Sequence, residues 1–240
     1  VEVEMHALED TPVDRARLVE GLEQVVRERR SVRGFLPTQV PPETLRLIFE
    51  TAQLAPSNCN VQPWRSYVAS GKTRDRVRQL LLERVDAQVP AAYDFTAGKN
   101  AFDGDYRRLQ VECAVALYSE MGVGRDDRSG RWRAARRNFE LFDAPHVVFV
   151  GMSKGFGVQV ALDVGIYLQT LMLSMTAHGI ACCPQGALRN HPSVVREVFD
   201  VPDDIGILCG ISFGYEDPNV PANRTRVPRS PLDANVTFGE

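Results

Sequence analysis

The sequence predicts an α+β domain in three layers, a sheet with helices on both sides. Three observations carry that expectation. "HVVFVGM", starting at His146, is a β-branched and aromatic run of strand length. "IGILCGISFGY", Ile205 to Tyr215, is a strand with apolar residues on both faces, so both need cover. Several other segments carry apolar residues at helical spacing and can supply the covering layers.

The first such segment holds Leu18, Leu22, Val25 and Val26 and runs into a basic loop, "RERRSVRGF". After Pro41 and Pro42, residues Leu45, Ile48, Phe49 and Ala52 trace one face of a second helix, with proline tolerated in the first turn and Pro56 closing it. "WRSYVAS" reads as a strand, and "TRDRVRQLLLERV" as a helix capped by Thr73 with Val77, Leu80, Leu81 and Val85 inward. Residues 89–137 are mixed, rich in Gly, Asp, aromatics and Arg around one helical segment from Leu109 to Met121, and are expected to form an inserted lid. A long apolar helix follows the His146 strand. "SVVREVFDV" predicts a helix started by Pro192 and Ser193, and residues 216–240 an extended arm with four prolines, whose Val236 and Phe238 could dock on a partner subunit. The expectation is one domain over 1–240.

Bulk properties narrow the function. A net charge of −3 gives no general pull toward nucleic acid or anionic membrane, so any anion must be caught locally. Five cysteines, without C-x-x-C or framework spacing, fit a reducing cytoplasm. The four histidines lack ligand spacing, and no metal site is expected. "VEVEMHALED" lacks the features of an export signal. The apolar stretch Val158–Gly179 nearly reaches membrane-spanning length but carries Gln159, Asp163 and Gln169, which favours a buried helix in a protein with no membrane contact.

Three polar stretches suit one anionic, planar ligand. "RRSVRGF" crowds Arg29, Arg30, Ser31 and Arg33 into a loop, where guanidinium forks match phosphate oxygens; a solvated basic face is the alternative. "NRTR" alternates Arg224 and Arg226, which an extended backbone would point to the same side. "PSNCNVQPW" sets Asn58, Asn60 and Gln62 in a proline-flanked connection, either a plain solvated loop or paired amides that read the edge of a heterocycle.

The order of these pieces resembles the nitroreductase superfamily of flavoproteins: R-R-S-x-R, then P-S-x-x-N-x-Q-P-W about one helix later, then R-x-R near the C-terminus, with "FDAPHVVFVG" and "CCPQGAL" between. The resemblance implies a central mixed, mainly antiparallel sheet and a homodimer with FMN at its interface. It implies that Arg29, Arg30 and Ser31 hold the phosphate and ribityl end, with Arg224 and Arg226 completing the phosphate site and Arg33 at the pyrimidine side. Pro56, Ser57, Asn58, Asn60 and Gln159 would reach the flavin from the neighbouring subunit. The backbone at Gln185 and Gly186 would approach flavin N5. Gln185 departs from the acidic residue often found there in the family. A polar side chain near the ring is implied just before "FDAP", with Arg137 and Asn138 the candidates.

NAD(P)H would deliver hydride to the flavin and be replaced in the same pocket by a nitroaromatic or quinone, so no dedicated catalytic side chain is needed. Tyr93, Phe95, Phe102, Tyr106 and Trp132 in the lid are the candidates to shape that pocket. Ene-reductases, reductive dehalogenases and a flavin-cleaving enzyme share the superfamily, and a flavin binder without turnover is a further alternative. "GMSKGFG" fails as a dinucleotide fingerprint, because Val160 stands where the third glycine belongs. The Arg-rich run from Arg125 to Arg137 reads as a lid surface rather than a nucleic-acid site. Cys182 and Cys183 read as small buried hydrophobes.

Overall fold

The structure is a computed structural model and describes residues 14–95 and 102–239. Its centre is a four-stranded sheet in the order β1-β2-β4-β3, from β1 (Arg65–Ser70), β2 (His146–Ser153), β3 (Ala181–Gln185) and β4 (Ile205–Gly214). All three pairings are antiparallel. The mixed character expected of the sheet is confined to one parallel bridge, Ser31 to Cys182, which lays the RSVR loop along the free edge of β3.

Period-two alternation divides β2 between two cores. Val148, Val150 and Met152 face α2 (Pro42–Gln53) and α6 (Val158–Ala177), where Ile48, Ala52, Tyr167 and Leu171 close the first core. Val147 and Phe149 face α3 (Gly71–Asp86) and α7 (Pro192–Phe199), where Leu81, Val194 and Val195 close the second. This is the three-layer arrangement expected from the apolar β4. Within β4, however, Ile205 and Ile207 enter the second core while Ile211 and Phe213 enter the first. These residues have the same parity, so the strand must change face. The register shift opposite Val150 and Gly151 does this, because Cys209 pairs with Val150 and Ile207 with Gly151, leaving Leu208 as the extra residue of a β-bulge.

Several boundaries differ from the sequence reading. Helix α3 starts at Gly71 rather than at Thr73, with Ser70 as N-cap and no capping side chain, since strand and helix follow without a loop. The lid region carries two helices, α4 (Gly104–Glu120) and α5 (Arg128–Arg136), not one. Asp127 starts α5 by accepting the Gly130 N–H at 2.8 Å. "CCPQ" is strand β3, where Cys182 and Cys183 point into different cores. The arm contains short 3-10 turns at Pro221–Arg224 and Leu232–Ala234, with Val236 and Phe238 exposed. Helix α1 (Arg15–Glu28) forms as expected, yet none of its residues is buried, and Leu18, Val19, Leu22 and Val26 stay exposed. On the neighbouring α6, Val158, Leu162 and Ile166 are also exposed.

His146 joins α2's approach to the sheet. The Val40 N–H donates to its Nε2 at 2.9 Å, so Nε2 carries no proton and the ring proton sits on Nδ1, facing Ser70 Oγ. Burial, reinforced by Arg74, pushes its pKa from 6.5 down to about 4. The unfolded chain therefore takes a proton near pH 6.5 that the folded chain refuses until about pH 4, and stability falls as pH drops through that interval. The full loss is roughly 3 kcal/mol from this one ring. In urea titrations between pH 7 and 4, His146→Gln should show a shallower loss of stability than the parent; an unchanged slope would show that His146 does not carry it. A second expectation concerns Gly206, where an added Cβ would lie 2.5 Å from the Phe95 ring. Gly206→Ala should lower stability by about 1–3 kcal/mol in the same titration.

Candidate functional site

The RSVRGFL segment threads between β3 and the chain leaving β4. Val32 N–H donates to the Cys182 carbonyl at 3.0 Å, and Leu36 N–H to the Tyr215 carbonyl at 2.8 Å. The contact is close enough that a Cβ on Gly34 would come within 2.5 Å of Val220. Pro184 has no N–H to offer, so β3 cannot continue pairing outward from Cys182, and a groove opens beside it.

This groove, about 1180 Å³, is lined by Arg27, Arg29, Arg30, Arg33, Arg226 and Arg229, against only Glu28 and Glu216. Arg27 pairs with Glu23 and Arg30 with Glu216. Arg29, Arg33, Arg226 and Arg229 meet no carboxylate among the described residues. Arg33 reaches only the Ser31 carbonyl, at 3.2 Å, and Arg226 the carbonyls of Asn223 and Thr225, at 2.9 and 3.0 Å. Thr225 lines the same groove, with its Oγ1 buried beneath and without a hydrogen-bond partner among the described residues. Concentrated, uncompensated guanidinium charge and an orphaned hydroxyl in a protein of net charge −3 make a local anion trap. Such a donor set fits the phosphate and ribityl end of a flavin mononucleotide.

Of the residues singled out in the sequence, Arg29, Arg30, Ser31, Arg33 and Arg226 therefore meet. Arg224 does not join them. The Pro221–Arg224 stretch is a 3-10 turn rather than extended chain, so the two arginines diverge, and Arg224 pairs with Glu120 of α4 at 2.9 Å. Thr225 and Arg229 take part instead. Sequence reasoning missed both; the three closely spaced arginines Arg224, Arg226 and Arg229 were the available signal.

Pro56, Ser57, Asn58, Asn60 and Gln159 lie elsewhere, toward the N-terminal end of α6. Asn58 N–H donates to Asp163 Oδ2 at 3.2 Å, whereas the groove touches α6 at Gln169, Met172 and Thr176. At 1.5 Å per residue, Asp163 and Met172 are roughly 13 Å apart along the axis. The loop also binds itself: Ser57 Oγ accepts the Gln62 N–H, and the Gln62 amide donates to both oxygens of Asn60. Cys59, Asn60 and Gln62 hold left-handed backbone, φ 49°, 55° and 46°.

Gln185 is buried. Its Nε2 donates to the Asn138 carbonyl at 2.9 Å and its Oε1 accepts from Ser212 Oγ, so the side chain ties the end of the lid to the sheet and does not face the groove. A Cβ on Gly186 would meet nothing within 4 Å, leaving the backbone there accessible. Arg137 is committed to Glu140 and Asp143, at 2.8 and 2.7 Å, which leaves Asn138 as the polar candidate before "FDAP". Among the lid aromatics, Phe95 packs on the first core beside Gly206, Tyr93 lies under Arg189, and Trp132 lies under Arg136. Phe102 and Tyr106 are exposed. Burial pushes the Cys182 thiol up to about 12 and that of Cys183 to about 11, so both stay protonated and unreactive at neutral pH.

Comparison with known proteins gives a consistent picture. Residues 26–215 match the model of the Nitroreductase family. The chain is 38% identical over 221 residues to nitroreductase NfnB of Mycolicibacterium smegmatis, covering 92% of this chain and 94% of that protein. It is 33% identical over 223 residues to a 4-nitrobenzoate reductase of Nocardioides sp., covering 92% and 90%. The crystal structure of the FMN-dependent NfnB from Mycobacterium smegmatis in complex with NADPH superposes with a TM-score of 0.89 at 37% identity, over 93% of this chain and all of that one. Matching that family model over most of its length and such relatives in sequence and fold, this chain belongs to the nitroreductase family.

Proposed function

We propose that this protein is an FMN-dependent oxidoreductase that works as a homodimer and reduces nitroaromatic or quinone-type acceptors with NAD(P)H. The observation that carries the reading is the groove: four arginines in one cleft that meet no carboxylate among the described residues, in a chain of net charge −3. Kinship with FMN- and NADPH-associated nitroreductases, and with a 4-nitrobenzoate reductase, supports the cofactors and the nitroaromatic class. Bound FMN would supply the two-electron chemistry, taking hydride from the nicotinamide and passing it to the acceptor that then occupies the same pocket.

The chain's own groups supply binding and tuning. Arg29, Arg226 and Arg229 offer forked donors to phosphate, with Ser31 and Thr225 adding hydroxyls. Arg30, already neutralised by Glu216, serves mainly to hold the two segments together. Arg33 belongs at the pyrimidine side, where a fixed cation favours the reduced, more negative ring and raises its potential. The main chain at Gln185 and Gly186 is left free to approach the reacting face.

The remaining contacts need a second copy. One chain separates the Pro56–Asn60 loop and Gln159 from the groove along α6, and it leaves α1 and α6 with uncovered apolar stripes. Pairing two chains through those stripes would bury them and bring each loop to the other's groove. Tyr93, Phe102, Tyr106, Trp132 and Asn138 remain the residues proposed to shape the acceptor's space. Five free cysteines support a reducing, cytoplasmic setting.

The purified protein should be yellow, and under anaerobic stopped flow NADPH or NADH should bleach the bound flavin and a nitroarene restore it. Absence of bleaching would instead identify a passive flavin binder. Arg33→Ala should lower the flavin midpoint potential by roughly 30–60 mV, equivalent to one charge-assisted contact; an unchanged potential and affinity would remove Arg33 from this role. Leu22→Asp with Leu162→Asp should yield monomers that lose flavin on gel filtration, and a fully loaded monomer would contradict the shared site.

A further inference from the structure

We infer that Asn223 is a positioning residue for the anion end of this site, a buried residue whose side-chain amide holds the Arg33 main chain and anchors the turn whose carbonyl receives Arg30 and Arg226. The inference rests on the FMN reading above. Asn223 is 3% exposed and lies in the 3-10 turn that ends at Arg224. Its Oδ1 accepts the Arg33 N–H at 2.7 Å. Both Nδ2 protons are used, to the carbonyls of Gly34 and Asp217 at 2.9 and 2.8 Å. Its own carbonyl accepts from the guanidinium groups of Arg30, at 3.0 Å, and Arg226, at 2.9 Å.

Five hydrogen bonds thus converge on one residue, and three of them, with Arg30, Arg33 and Gly34, join two segments that are distant in sequence. One segment carries Arg30 and Arg33, the other Arg226. The side-chain amide is the contact that fixes the Arg33 main chain directly to the turn carrying Arg226, while the Arg30–Glu216 pair and the Asp217 N–H on the Gly34 carbonyl tie the same segments beside it. Asp cannot replace the two donors and would face two carbonyls with negative charge. The space is also tight, because Gly34 and Val220 already touch. The main-chain carbonyl survives any substitution, but its place depends on the side chain that anchors the turn.

The test is ligand binding to the apoprotein, with FMN, riboflavin (which lacks the phosphate) and inorganic pyrophosphate as probes. Asn223→Ser should weaken FMN by at least about tenfold, as expected for loss of aligned charge-assisted bonds, and shrink the parent's preference for FMN over riboflavin. In the Arg226→Ala background the same change should cost much less, because Asn223 acts partly through Arg226. A merely structural residue would lower the apoprotein melting temperature and weaken both flavins alike, additively with Arg226→Ala, and that result overturns the inference. If Asn223→Ser does not fold, Asn223→Asp keeps the acceptor for Arg33 while reversing both donors, and should show the same loss of phosphate preference; retention of that preference would refute the role. A parent that binds no FMN would refute the proposed function. Pyrophosphate would then still decide on Asn223, with equal affinity in parent and variant counting against it.

Discussion

The bulge at Leu208 lets one ten-residue strand serve two cores, and the placement of the groove depends on it. The first part of β4 packs Ile205 and Ile207 toward α3 and α7; the second packs Ile211 and Phe213 toward α2 and α6. Without the extra residue, strict alternation would leave one pair on the wrong face. The second part is also the stretch that pairs with β3, from Gly210 to Gly214, and the chain leaving it pairs with the RSVRGFL segment. A register error at Leu208 would therefore move β3, the arginine loop and the start of the C-terminal arm together. The local twist that bulges add is consistent with a strand that turns from one layer to the other along its length.

On that frame the chain builds a concentration of like charge, which is unfavourable by itself. Four guanidinium groups without carboxylate partners in one groove repel one another, and no ion pair among the described residues offsets that repulsion. The structure limits this by two devices. Arg30 is neutralised by Glu216, and backbone carbonyls take the donors of Arg33, Arg226 and Arg229 without cancelling their charge. The result is a cradle whose forks are oriented in advance while the charge stays available to an anion. Lysine would not serve equally, because a single ammonium cannot hold a carbonyl and present a second planar face to phosphate.

Much of the fold was legible because its signals are local. β2, α2, α6 and α7 announce themselves by composition, periodicity and proline placement, and the arginine loop by its density of charge. What was not legible depends on tertiary context. The bulge leaves no signature in "ILCGISF", since nearly every residue there is apolar or small whichever way it points. "CCPQ" is too short and contains a proline, so β3 is a strand only because β4 lies beside it. Thr73 looked like a helix cap, but strand β1 runs straight into α3 and the helix takes its start from that junction. Arg224 and Arg226 were aligned on the assumption of extended chain, and the 3-10 turn separated them. Asn223 stood in plain view at the head of "NRTR", yet its bonds to Arg30, Arg33 and Gly34 reach partners that only the folded chain brings near, so nothing local singled it out.

The polar connection "SNCNVQ" spends much of its polarity on its own conformation. Ser57, Asn60 and Gln62 bond one another, and the Gln53 side chain bridges Gln62 and the Trp64 indole, so most of this polarity holds three left-handed residues in place. Such conformations persist only where the surroundings over-determine them. Part of that determination comes from Asp163, the carboxylate of α6, buried beside the first core and accepting the Asn58 N–H. Asn58 is the member whose side chain is bound only by the weak Cys59 thiol contact, at 3.4 Å, and it remains outward. Among these amides, Asn58 is therefore the one whose side chain stays free of the loop's own network, held on a backbone that its neighbours fix in place.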